Sequence, residues 1–173
     1  MRAFIPLAAL TALAACGAPA PRPAPEPVRR PPVVTAAPAP VPLAANWRDW
    51  PVTPGTWSYT RDDRGSLALF GTPGADALLT VRCDLPARQI FLSRAGGSPA
   101  ALTIRTSSVT RALPTRPTGG TPPYVAVALA PRDPLLDAMG FSRGRFAIEQ
   151  PGAPTLVVPA WAEIERVTED CRG

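Results

Sequence analysis

From Thr56 onward, apolar and polar residues alternate in short runs bounded by Gly, Pro, Asp and Ser, the period-two signature of half-buried strands. The alternation predicts strands over Thr56–Thr60, Ser66–Phe70, Ala77–Cys83, Gln89–Arg94, Leu102–Ser107, Val109–Leu113, Tyr124–Leu129, Arg145–Glu149 and Thr155–Val158. Arg61-Asp62-Asp63-Arg64-Gly65 and Gly71-Thr72-Pro73-Gly74 supply turn chemistry between and after the first two, so neighbouring strands are expected to pair antiparallel. Two segments change period. Asp133 to Gly140 places an N-cap aspartate before Pro134 and a glycine at the C-cap position, with Leu135, Leu136 and Met139 on one side, predicting a short helix. Ala160 to Asp170 predicts a C-terminal helix, with Trp161, Ile164, Thr168 and Cys171 at spacings of three and four and Val167 beside them. No longer period recurs, which removes solenoids and propellers. The expected class is mainly β (α+β): a small antiparallel β-sandwich or barrel-like domain over residues 46–173, with two short helices and one disulfide.

Upstream of this domain the pattern is different. Residues 1–15 carry Arg2 and then an apolar run from Ala3 to Ala15, which predicts a signal peptide; as a helix the run is only about 20 Å long against a hydrocarbon core of ~30 Å. Leu13-Ala14-Ala15-Cys16 resembles the lipobox of bacterial lipoproteins. That resemblance implies cleavage before Cys16, diacylglycerol on its thiol, a further amide-linked chain, and attachment to the membrane through the lipidated cysteine. At about 0.8 kcal/mol per buried methylene, several chains anchor a soluble domain durably. Gly17, in place of an aspartate, implies by the same resemblance delivery to the outer membrane, facing the periplasm. Residues 18–45 contain ten prolines, no glycine and no aromatic, a composition that cannot bury a core and predicts a disordered tether. Extended as polyproline II, its 28 residues reach roughly 85 Å.

Composition narrows the chemistry. The absence of histidine excludes Ser-His-Asp and Cys-His catalysis and His-ligated metal, and no cofactor motif is present. The net charge of +5 is carried wholly by arginine, yet residues 46–173 hold 14 Arg against 12 Asp and Glu. Those arginines are scattered singly without interleaved aromatics, which argues against nucleic-acid binding. With Cys16 assigned to lipid, Cys83 and Cys171 remain in an oxidising compartment. Cys83 shares strand parity with Leu79 and Val81, and Cys171 lies on the apolar side of the last helix, so the two are expected to form a structural disulfide. Redox catalysis is the alternative, but neither thiol has a second one nearby.

Three local features are candidates for ligand contact. Trp47 and Trp50, in Asn46-Trp47-Arg48-Asp49-Trp50 with Trp57 following, offer faces on which a sugar or peptide stacks; the structural alternative is that they dock the end of the tether onto the sheet. Arg143 and Arg145 flank Gly144 in a turn suited to holding a carboxylate or phosphate by forked hydrogen bonds, the alternative being a solvated turn between core residues Phe141 and Phe146. Pro114 to Pro123 has the length and composition of a partner-binding or inhibitory loop, or of a plain connection. Asp62, Asp63 and Asp84 are the carboxylates a histidine-free hydrolase would use, though no pair has diagnostic spacing.

The domain's ending, Arg143-Gly144-Arg145-Phe146 followed by Pro159-Ala160-Trp161-Ala162-Glu163-Ile164 and Glu169-Asp170-Cys171-Arg172, resembles lipoproteins of alphaproteobacteria, a resemblance that brings no activity with it. Size and disulfide are also similar to small periplasmic lysozyme inhibitors, whose Ser-Gly-x-x-Tyr pattern has no match here. The expectation is therefore a non-enzymatic, lipid-anchored envelope protein that binds peptidoglycan or an envelope protein. Inhibition of a lysozyme or protease is the rival role, and a histidine-free hydrolase the alternative of another class.

Overall fold

The computed structural model describes residues 44–173. The expected signal peptide, Cys16 and the expected tether up to residue 43 lie outside the described residues. Ten strands form two antiparallel sheets. In the first, β1 (Thr56–Asp62), β2 (Gly65–Gly71), β3 (Leu79–Asp84) and β4 (Gln89–Ala95) follow one another as a meander, and β8 (Tyr124–Leu129) and β7 (Arg116–Pro117) complete the order β1-β2-β3-β4-β8-β7. The second sheet has the order β10-β9-β5-β6, from β5 (Leu102–Arg105), β6 (Thr110–Leu113), β9 (Arg145–Gln150) and β10 (Ala153–Pro159). Both sheets stay open, so of the two expected forms the sandwich holds and the closed barrel does not.

Strand parity decides what is buried. Ala68 and Phe70, Leu79, Val81 and Cys83, and Ile90 and Leu92 point inward from the first sheet, meeting Leu102, Ile104, Phe146, Ile148 and Val158 of the second in one core. The remainder of that inner face is covered by α2 (Ala162–Arg172) through Ile164 and Val167, and α2 in turn packs on α1 (Pro134–Gly140). Cys83, at the end of β3, is bonded to Cys171 in the last turn of α2, with Cα atoms 5.4 Å apart. The expected disulfide thus pins the C-terminal helix to the sheet.

The structure corrects several sequence expectations. Gly140 is not a left-handed cap: it closes α1 inside the helix, Phe141 follows as the cap residue, and the Glu165 side chain of α2 fills the space a Cβ on Gly140 would need. Trp161 does not face the core. It is the extended N-cap residue of α2 (φ −99°, ψ 168°), so it stands outside the helical face and is 47% exposed. Phe141 is likewise outside the core, 74% exposed, whereas Phe146 on β9 is fully buried. The strand expected to reach Ser107 stops at Arg105, because Thr106 instead closes a turn with Val109, its hydroxyl accepting from the Val109 N–H at 2.9 Å. Finally, the Pro114–Pro123 loop contains the edge strand β7, and Thr118 N–H donates to Tyr124 O at 2.8 Å, so much of it is a paired hairpin.

One buried cation sits inside the sandwich. Arg94 continues the inward parity of Ile90 and Leu92 and is 2% exposed. Desolvation depresses its pKa. Its guanidinium donates to Ile148 O at 3.2 Å and to Pro154 O, the latter a carbonyl set free where β10 shifts register against β9.

Candidate functional site

The two aromatic and arginine motifs, about 95 residues apart in sequence, come together at one end of the second sheet. Asn46 caps a short 3-10 turn (Trp47–Asp49) through its side-chain oxygen, which accepts from Arg48 N–H at 3.1 Å. Trp50 then lies over Ala147 and Val157 on the sheet's outer face, flanked by Trp47, and its indole N–H donates to Ala44 O at 2.6 Å. The segment continues along the β10 edge, where Thr53 N–H donates to Val157 O and Val157 N–H to Thr53 Oγ1, both at 2.9 Å. Arg145 closes the arrangement by donating to Trp50 O at 2.9 Å. Trp50, buried to 9% exposure, is therefore packed against the sheet, and part of the Arg145 guanidinium is engaged in holding it there.

Around this dock is an exposed rim. Arg48 lies over the Trp47 ring, 5.0 Å from its centroid, and reaches Ser107 O at 3.4 Å. The β5–β6 turn is tied to the Arg143 turn, since Ser107 N–H donates to Ser142 Oγ at 3.0 Å and Arg143 N–H to Ser107 Oγ at 3.3 Å. Ala160 N–H donates to Gly144 O at 3.2 Å, which brings Trp161 beside the same turn. Gly144 has φ +76°, a left-handed conformation that glycine adopts freely. Phe141 and Trp161, the two exposed aromatics named above, thus flank a turn bearing Arg143, and Val52 and Val109 are exposed on adjoining segments. Arg48, Arg143 and Arg145 have no carboxylate partner among the described residues, whereas six other arginines are paired.

Sequence reasoning singled out Trp47, Trp50, Arg143 and Arg145, but it missed Arg48, Phe141 and Trp161 as surface groups. Both exposed aromatics occupy helix-cap positions, just outside the face that helical spacing describes. That was the available signal.

The carboxylates of the hydrolase alternative are tied up by arginines. Arg82 holds Asp62 at 2.8 Å, and Arg64 pairs with Asp84, which also accepts from Ala87 N–H at 3.0 Å. Both carboxyls are kept below their ordinary pKa, first by those guanidinium hydrogen bonds. A general acid needs the opposite shift. Asp63 stands exposed in the β1–β2 turn. Among the described residues there is no group of three or more His, Cys, Asp or Glu placed to hold a metal, and no helix long and apolar enough to cross a membrane. A groove of about 520 Å³ lies between β7 and the outer face of β8 and β4, lined by Phe91, Pro114, Arg116 and Ala126.

No protein-family model, curated protein or solved structure matches this chain.

Proposed function

We propose that this chain is a lipid-anchored protein of the bacterial cell envelope whose β-rich domain binds an anionic glycan of the wall, without catalysing a reaction on it. The observation that carries this reading is the convergence of exposed Phe141 and Trp161 with Arg48 and Arg143, cations lacking carboxylate partners among the described residues. Aromatic faces stack on the apolar faces of sugar rings, and guanidinium forks suit the carboxylates that accompany them in a wall polymer. The Trp50 dock supports the same reading because it fixes the point where the tether enters the domain beside that rim. The lipobox-like Leu13-Ala14-Ala15-Cys16 and the Pro-rich segment support the anchor and spacer of this reading, with the domain in the periplasm at the outer membrane.

Two measurements test the two halves. Radiolabelled fatty acid should enter the wild-type protein in cells and not Cys16→Ser; label in the variant refutes the anchor. The purified domain should cosediment with wall sacculi, and Arg143→Gln combined with Trp161→Ala should leave it in the supernatant. Equal sedimentation of both proteins refutes the site.

A further inference from the structure

At the far ends of the two helices is a second cationic feature, independent of the aromatic rim. Arg132 stands just before α1 and Arg172 ends α2, whereas Phe141 and Trp161 mark the opposite ends of the same helices. Arg88, Arg132 and Arg172 line one cavity of about 360 Å³, together with Ala130, Pro131 and the disulfide residue Cys171. Pockets of this size, roughly 300 Å³ and upward, hold small ligands.

The three guanidinium groups are unequal. Arg172 is fixed, donating through Nε to Pro131 O at 2.9 Å and pairing with Asp137 at 2.7 Å. Arg88 and Arg132 are exposed and have no carboxylate partner among the described residues. Arg88 also occupies an unusual backbone position. It ends the tight β3–β4 turn at φ +53°, the one non-glycine residue with positive φ among those described, with its N–H donating to Leu85 O at 3.1 Å. Glycine or asparagine is the ordinary occupant of such a site, so an arginine there points to a role for its side chain.

We infer that Arg88, Arg132 and Arg172 form a binding site for a phosphate monoester, with the tetrahedral dianion seated among three guanidinium groups and the rest of the cavity taking the moiety it esterifies. Two guanidinium forks without carboxylate partners on one cavity suit a dianion, and the fixed Arg172 holds one side of the site in place before the ligand arrives. The disulfide keeps the end of α2, and with it Arg172, against β3.

Phosphate monoesters reach the envelope either on soluble sugars or on lipid headgroups, so the test has two arms. Glucose 1-phosphate is titrated into the disulfide-bonded domain, following the amide resonances of Arg88, Arg132 and Arg172. In parallel, the domain is floated with phosphatidylcholine vesicles with and without phosphatidic acid. Saturable binding in either arm, weakened at least tenfold in Arg88→Gly/Arg132→Gln, is expected, and the arm that responds identifies the source. Arg88→Gly should at the same time raise the melting temperature, because it removes a side chain from a left-handed residue. No binding in either arm at millimolar phosphate ester overturns the site, as does affinity unchanged in the double variant. A melting temperature lowered by Arg88→Gly overturns the claim that Arg88 is kept there for its side chain.

Discussion

Removing the Cys83–Cys171 bond should bring the domain to the edge of unfolding. The bond joins residues 88 apart, linking the end of β3 to the last turn of α2. On the loop-entropy description, a bridge of that span restricts the unfolded chain by about 4–5 kcal/mol. The other ties at that end of α2 are weaker: Tyr59 Oη and the Arg61 guanidinium bond to Asp170, and Arg172 bonds to Pro131 O and pairs with Asp137, but these ion pairs are partly or largely exposed, and exposed pairs contribute little. Against a net stability of about 5–15 kcal/mol for a domain of ordinary size, the loss corresponds to a fall of roughly 15–25 °C in melting temperature. Thermal unfolding of the oxidised domain, the reduced domain, Cys83→Ala, Cys171→Ala and the double variant measures it. All four perturbed forms should melt close together, because one bond is lost in each. A reduced domain melting within a few degrees of the oxidised one would refute the pinning role, as would a double variant showing the sum of two independent losses.

Two other features should answer in stability measurements. Arg94→Met removes the guanidinium donor to the buried Ile148 carbonyl and to the Pro154 carbonyl and should cost about 1–3 kcal/mol in urea unfolding; wild-type stability in this variant would mean that water or another donor serves them. Asp133 caps α1 through Leu135 N–H at 2.9 Å and takes a fork from Arg111 at 2.9 and 2.8 Å, so Asp133→Ala should cost about 1–2 kcal/mol. The carboxyls of Asp62, Asp84 and Asp133 are each held below their ordinary pKa, foremost by an arginine. The stability they contribute is therefore complete above the unfolded carboxylate range, near pH 4, and lost as pH falls through the depressed native values. Unfolding free energy measured across an acid series should drop below about pH 4, less steeply in Asp133→Asn; a drop below about pH 4 as steep in Asp133→Asn as in the wild type contradicts the pairing.

The architecture was legible because strand parity is a local property. Leu79, Val81 and Cys83 had to share a face, and with Cys171 on the apolar side of its helix the disulfide followed. Legibility failed where a contact is not local. Nothing in Asn46–Trp50 says that Arg145 will receive the carbonyl of Trp50, since that meeting depends on how β9 and β10 run in the second sheet. Parity was present but unread at Arg94, an arginine in phase with Ile90 and Leu92. Helical spacing misled at Trp161, because it was extended one residue beyond the point where the backbone becomes helical. The glycine at 140 carried a packing requirement from α2 that a capping rule mistook for a C-cap.

The central claim, that the rim of Phe141, Arg143 and Trp161 is a binding surface for anionic glycan, is tested most directly by titrating soluble muropeptides into the wild-type domain and into Phe141→Ser/Arg143→Gln/Trp161→Ser at low and high salt. All three side chains project from cap or turn positions, and Phe141 and Trp161 are exposed, so melting temperature should change by no more than about 2 °C. Affinity should fall at least tenfold in the variant, and wild-type binding should weaken as salt rises. Equal affinity in both proteins, or a loss of binding that only follows a lowered melting temperature, contradicts the claim.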